Sequence, residues 1–155
     1  MFKTNRISFG GTAAIVTSMA LITGLNAARA GRTAMVSALL IAAIADNLTD
    51  SLSVHMYQES ERLEQREAFA GTISNFIVRF LVCVSFVLIV TVLREHKVTV
   101  GGIVWGMSLL AALTYQLARE RGANVLSEVV KHLTVAAAVI AVSGVVGQWI
   151  ARYVV

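Results

Sequence analysis

Residues 33–61 read TAMVSALLIAAIADNLTDSLSVHMYQESE, and this stretch decides how the whole chain is interpreted. Its first half is an apolar run that is suited to a lipid bilayer. The run continues without a break into two aspartates, Asp46 and Asp50. Ionisable side chains inside a membrane-spanning helix are costly and usually mark a functional site. Whether the chain spans a membrane, and what the two carboxylates do there, are therefore the questions that the stretch raises.

The composition is typical of an integral membrane protein. Of the 155 residues, 57% are hydrophobic and 14% are charged, whereas a soluble domain carries about 25% charged residues. Five apolar runs are each long enough to cross a bilayer as a helix, which takes about 17–25 residues. They cover residues 7–25, 33–57, 73–93, 98–117 and 129–154.

These runs predict one domain, residues 1–155, with an all-α fold of five transmembrane helices. Helices are expected because a backbone in lipid has to satisfy its own hydrogen bonds. The first run is interpreted as a retained helix, with cleavage as a signal peptide after LNAARA as the alternative.

The basic residues of the loops predict the orientation, since loops rich in Lys and Arg are usually cytoplasmic. On the side of the N-terminus there are seven: Lys3, Arg6, Arg62, Arg66, Arg119, Arg121 and Lys131. On the other side there are five: Arg29, Arg32, Arg94, Lys97 and Arg152. We expect a cytoplasmic N-terminus and an outer C-terminus in the cell (inner) membrane. The lipid bilayer is the expected partner, and nucleic acid is not, because no basic face with interleaved aromatic residues is found.

The depth of the charges suggests an ion pair. Asp46 and Asp50 are four residues apart and so share one helix face. At 1.5 Å per residue, Asp50 lies about 13 Å from the helix end near Glu59. Arg79 in the third segment lies about 12 Å from the same side, counted from Gly71. The second and third segments are joined by a short loop and should be antiparallel neighbours, so we predict that Asp50 and Arg79 form an ion pair.

Two interpretations of this polar stripe stay open. In the first, Asp50 and Arg79 form a fixed structural ion pair that locks two helices together, because a buried charge is expensive unless it is paired. In the second, at least one aspartate takes up a cation, since one arginine cannot neutralise two carboxylates. Asp46 would then face a cavity at a dimer interface while Asp50 is held by Arg79. Carboxylate oxygens suit manganese, magnesium or calcium.

Two stretches carry a family resemblance. IVTSMALITGLNAA, residues 15–28, and LLIAAIADNLTDSLSVHMYQESE, residues 39–61, resemble the first two helices of the vacuolar iron transporter family. The matching residues are Thr17, Ser18, Gly24, Ala27, Ala28, Ala45, Asp46, Leu48, Ser60 and Glu61, with Thr49 in place of serine. The resemblance implies a five-helix homodimer that exports ferrous iron, or manganese, from the cytoplasm in exchange for protons. Asp46, Asp50 and Glu61 are the candidate metal ligands, and no cofactor is expected because the metal is the substrate.

The chain also departs from this family in three places. The Asp-Gly of the family's first helix aligns with Ala13 and Ala14, so its ion-translocating carboxylate is missing. The methionine of the second helix aligns with Asp50. The cytoplasmic metal-binding insert is reduced to ERLEQREAFAGT, residues 61–72. A carboxylate has then either migrated from the first helix to the second, or transport has been lost.

Transport of a divalent metal cation, iron or manganese, is therefore the expected function. The alternative is a non-transporting membrane scaffold or complex subunit that keeps the fold. An enzyme is not expected: lipid phosphotransferases also place aspartates four apart, but the Asp-Gly start and the glycine of their pattern are absent here. A homodimer is expected from the resemblance and from small residues that let helices approach in lipid, among them Gly102, Gly106, Gly144 and Gly147.

Overall fold

The structure, a computed structural model, describes residues 4–60 and 65–154, and within these ranges the chain is helical with no strand. The elements are α1 (Thr4–Ala27), α2 (Arg32–Ile41), a π-helical segment (Ala42–Asp46), α3 (Asn47–Ser60), α4 (Gln65–Val92), α5 (Glu95–Glu120) and α6 (Val125–Tyr153). Because α2, the π-helical segment and α3 follow one another without a gap, they form one continuous span.

Five spans in the described residues are long and apolar enough to cross a membrane, which confirms the predicted all-α fold with five membrane helices. They are Gly10–Ala27, Arg32–Tyr57, Phe69–Val92, Glu95–Glu120 and Val125–Tyr153. The third and fifth spans each begin four residues earlier than the apolar runs suggested. If all five cross, Thr4 and Tyr153 lie on opposite sides of the bilayer.

Tight turns connect the first span to the second and the fourth span to the fifth. Arg29 follows α1 with a left-handed backbone, φ 59°, and the next residue donates its N–H to the carbonyl of Leu25 at 2.9 Å. Gly122 adopts φ 65° after α5, where glycine tolerates this conformation without a Cβ clash. Asn124 then caps α6, its side-chain oxygen accepting from the N–H of Ser127 at 3.2 Å.

The first helix is the centre of the bundle, since α1 packs against α2, α4, α5 and α6. A buried apolar core lies along it: Ile15, Met19, Ile22, Leu39, Phe86, Val90 and Leu110. A Cβ at Gly106 would meet Met19, and a Cβ at Gly147 would meet the backbone of α1 at Gly24. These two glycines therefore serve close packing within one chain and give no argument for a dimer.

Candidate functional site

A fully buried arginine is the centre of the polar site. Arg79 lies in the middle of α4, and its side chain is 1% exposed. Its Nε donates to Oδ1 of Asn47 at 2.7 Å, and its Nη1 donates to the carbonyl of Gly10 at 3.5 Å. Arg79 therefore joins three helices, because Gly10 belongs to α1 and Asn47 to α3.

Both aspartates of the second span contact this arginine. Nη1 of Arg79 lies 2.5 Å from Oδ2 of Asp50, and Nη2 lies 3.3 Å from Oδ2 of Asp46. The predicted contact between Arg79 and Asp50 is present, but the guanidinium also contacts Asp46, which was expected to face a cavity. Two carboxylates and one guanidinium leave a formal charge of −1 on the cluster.

The exposure of the three charged groups differs sharply. The side chains of Asp46 and Asp50 are 50% and 38% exposed, against 1% for Arg79. The cation of the cluster is thus sealed inside the bundle while the carboxylates lie at its surface. An approaching ion would meet carboxylate oxygens first and would not meet the guanidinium.

The π-helical segment sets the position of Asp46. This residue ends the segment, and Asn47 begins α3 directly after it. The side-chain amide of Asn47 donates back to the carbonyl of Ala43 at 2.8 Å, inside the segment. A π-helical turn holds more residues than an α-helical turn and is frequently found at functional sites. The π-helical segment therefore changes which of the residues before Asn47 lie on the same side of the span as Asp50.

A second layer of buried polar side chains surrounds the charges. Asn75 donates to Oγ of Ser51 at 3.3 Å, and Oδ1 of Asn75 has no hydrogen-bond partner among the described residues. Oγ1 of Thr72 lies 3.3 Å from Nδ1 of His55 one turn further along. Unsatisfied polar atoms in an otherwise paired interior are exceptions that call for a reason, such as a bound water or ion.

These buried polar side chains were not predicted as part of the site, although their spacing in the sequence indicates a shared helix face. Asn47, Ser51 and His55 are four residues apart on α3, and Asn75 and Arg79 are four apart on α4. Residues with this spacing share a helix face. This spacing therefore predicts two polar stripes that face each other on neighbouring apolar helices.

The remaining predicted residues lie away from this cluster or outside the description. Glu61 lies outside the described residues. Ala13 is half-buried on α1, and its neighbour Ala14 packs against Ala43 and Cys83. Small apolar side chains therefore fill this part of α1, where the resembling family has Asp-Gly.

The donor set for a metal is small. Within residues 4–60 and 65–154 there is no group of three or more His, Cys, Asp or Glu side chains that could hold a metal ion. Asp46 and Asp50 supply two carboxylates, whereas a tightly held divalent cation takes six or more oxygen ligands in the case of calcium or magnesium. Two carboxylates alone are therefore fewer donors than such an ion takes from a protein that holds it tightly.

These features define an integral membrane protein with a carboxylate–arginine cluster inside its bundle. No protein-family model, no curated protein and no solved structure matches this chain.

Proposed function

We propose that the chain is a membrane transporter for a divalent metal cation, iron or manganese, with protons as the exchanged ion. The observation that carries the proposal is the pair of half-exposed carboxylates, Asp46 and Asp50, which share one sealed arginine in the middle of two spans. Charged groups in such positions are expensive and are found mainly along ion pathways.

The charge of the cluster suits a transient ion site. Arg79 contacts two carboxylates, and the remaining formal charge of −1 on the cluster attracts a cation. The same guanidinium weakens the hold on the ion, because it competes for the carboxylate oxygens. Conduction requires binding that is favourable enough for entry and weak enough for release. Because a carboxylate oxygen binds either a metal ion or a proton, exchange of the two at the same side chains would couple the two flows.

We propose further that a second copy of the chain covers the exposed side of this cluster. Half-exposed carboxylates would otherwise face lipid, which costs several kcal/mol per charge. A two-fold pair is the commonest closed assembly. Ser53 is exposed on the flank of α3 that carries the aspartates, and the adjacent Leu52 is exposed on the other flank.

Cross-linking tests this arrangement. In a Cys83→Ala background, Ser53→Cys should be joined to its counterpart in native membranes by a short thiol-reactive cross-linker, and Leu52→Cys should not. Equal cross-linking of the two variants, or none of either, would contradict a dimer on this face.

Metal-dependent stability in detergent tests the cation site. Manganese should raise the unfolding temperature of the wild-type protein, because a ligand that binds only the folded state stabilises it. Asp46→Asn should fold normally and lose this effect. Glu128→Gln is the matched control, since Glu128 is a carboxylate of another span that pairs with Lys131 at 2.7 Å. If no divalent cation stabilises the wild type and Asp46→Asn changes nothing, the transport proposal falls.

The alternative function is a scaffold or complex subunit, and one observation favours it. Arg79 contacts both carboxylates, Asn47 and the carbonyl of Gly10, so each nitrogen of the guanidinium helps to connect α4 to α1, to α3 or to the π-helical segment. In a scaffold, the cluster would serve only to hold these helices together. Manganese would then have no effect on any variant, while loss of Arg79 would still unfold the protein.

A further inference from the structure

A basic pocket lies where α1 and α6 end, at the same end of the bundle. Its volume is about 310 Å³, and it is lined by Ala27, Arg29, Gln148, Ala151 and Arg152. The lining contains two guanidinium groups and no carboxylate. The pocket is therefore a small concave surface with a formal charge of +2.

The aromatic residues of α6 place this pocket at the depth of lipid head groups. Trp149 and Tyr153 are one turn apart near the end of α6, and their ring centroids are 6.0 Å apart. They are 57% and 68% exposed. Trp and Tyr are enriched where a membrane helix leaves the hydrocarbon and enters the interface with water. Because Arg152 lies between these two residues in the sequence, both the lipid phosphates and the anions of the aqueous phase have access to its guanidinium.

The two arginines of the pocket have no other partner among the described residues. Within residues 4–60 and 65–154, neither Arg29 nor Arg152 has an ion pair or a side-chain hydrogen bond. Arg32, close by in sequence, differs, because it donates to two backbone carbonyls of α4 and the turn after it at 3.1 and 2.7 Å. Arg29 also lines a second pocket with Glu95, but no ion pair joins these two side chains in the described part of the chain.

The backbone of Arg29 is a second indication of a ligand. Among the described residues, Arg29 is the non-glycine residue with a positive φ, 59°. This position after a helix is usually taken by glycine or asparagine. The side chain is not needed to end the helix, because the carbonyls of Gly24, Leu25 and Asn26 already accept backbone N–H groups at 2.9, 2.9 and 3.0 Å. Unfavourable backbone conformations are concentrated at functional sites, so an arginine kept in this one favours a role in binding.

We propose that this pocket binds a phosphate group through Arg29 and Arg152, either as inorganic phosphate or as the head group of an anionic lipid. A guanidinium recognises an oxyanion by two parallel charge-assisted hydrogen bonds. A tetrahedral phosphate has enough oxygens for two guanidinium groups, whereas one guanidinium already occupies both oxygens of a carboxylate. The side-chain amide of Gln148 is a further donor on the pocket wall. The site shares no residue with the cluster of Asp46 and Asp50, so it does not rest on the transport proposal.

Two assays on the full-length protein in detergent distinguish the two sources of phosphate. In the first, inorganic phosphate is titrated at constant ionic strength, with chloride as the reference anion, and the unfolding temperature is measured. In the second, native mass spectrometry compares the retention of phosphatidylglycerol and phosphatidylcholine. Stabilisation by inorganic phosphate, with equal retention of the two lipids, would identify a site for free phosphate. Preferred retention of phosphatidylglycerol, with no effect of inorganic phosphate, would identify a site for a lipid head group.

Variants of the two arginines connect either result to the pocket. Arg29→Asn and Arg152→Gln should each weaken the observed binding by about tenfold, the usual effect of losing a hydrogen bond to a charged group. Asparagine is chosen at position 29 because it tolerates the left-handed backbone there. Arg94→Gln is the control and should bind as the wild type does, since Arg94 lies at the same end of the bundle and lines neither pocket. A monodisperse elution profile and an unchanged helix signal establish that each variant is folded.

Three results would overturn the proposal. A wild-type protein that is not stabilised by inorganic phosphate and retains both lipids equally has no phosphate site. A loss in Arg94→Gln as large as the losses in the pocket variants would mean that the overall charge of this end, and not the pocket, attracts the anion. A loss in only one of the two pocket variants would mean that Arg29 and Arg152 do not share a ligand.

Discussion

Oδ1 of Asn47 accepts a hydrogen bond from Nε of Arg79 at 2.7 Å, and this contact fixes the direction in which the guanidinium points. The two remaining nitrogens of Arg79 are then aimed at Asp46 and Asp50. A neutral amide thus orients a buried cation toward two carboxylates at the surface of the bundle.

Removing the arginine should destabilise the fold severely. Arg79→Met leaves two carboxylates without their cation, and breaking a buried pair costs about 3–5 kcal/mol. Asp50→Asn should cost less, because Arg79 keeps Asp46 as a charged partner. Chemical unfolding in detergent micelles, with helix content as the readout, measures both.

The triple variant Arg79→Met, Asp46→Asn, Asp50→Asn is the control for that series. It removes all three charges, so much of the loss seen in Arg79→Met should be recovered. A triple variant as unstable as Arg79→Met would mean that the packing of the arginine stem, and not its charge, stabilises the bundle.

Gly10, where α1 packs against the site, should not tolerate a larger side chain. A Cβ at Gly10 would overlap the amide of Asn75 and come within 3.0 Å of Cγ of Arg79. Gly10→Ala should therefore cost about 1–3 kcal/mol, the usual penalty for overpacking. A Cβ at Gly11 would meet only the end of the Leu113 side chain, at 3.2 Å, and Cγ1 of Val78. Thermal unfolding should show Gly11→Ala close to the wild type, and equal losses in both variants would contradict this packing.

The five helices and the ion pair between Asp50 and Arg79 were predictable from the sequence. The contacts that were not predicted were missed for physical reasons. Span length and apolar character fixed the five helices, and helical rise placed Asp50 level with Arg79. The contact between Asp46 and Arg79 was not predicted, because depth along the helix matched the arginine to Asp50 alone, whereas the two Nη atoms of one guanidinium reach both carboxylates of the shared face. Asn75 was missed because a neutral amide in an apolar helix is recognised as part of a site only when the opposing stripe is known.

The paired ends of the chain give a direct test of topology. Cys83 is 3% exposed and is replaced by alanine first, so that single cysteines can be introduced at Thr4 and Tyr153. A membrane-impermeant thiol reagent applied to intact cells should label Tyr153→Cys and should label Thr4→Cys only after permeabilisation. Labelling of both from outside would contradict five crossings, and the reverse pattern would overturn the cytoplasmic N-terminus.

Ion flux into sealed vesicles is the decisive measurement for metal transport. The purified chain is reconstituted into liposomes that contain a manganese-sensitive dye, and uptake is followed under an imposed proton gradient. We expect manganese uptake by the wild type and by Glu128→Gln, and loss of uptake in Asp46→Asn although this variant folds. Wild-type vesicles that take up neither manganese nor ferrous iron faster than empty liposomes would contradict metal transport by this chain.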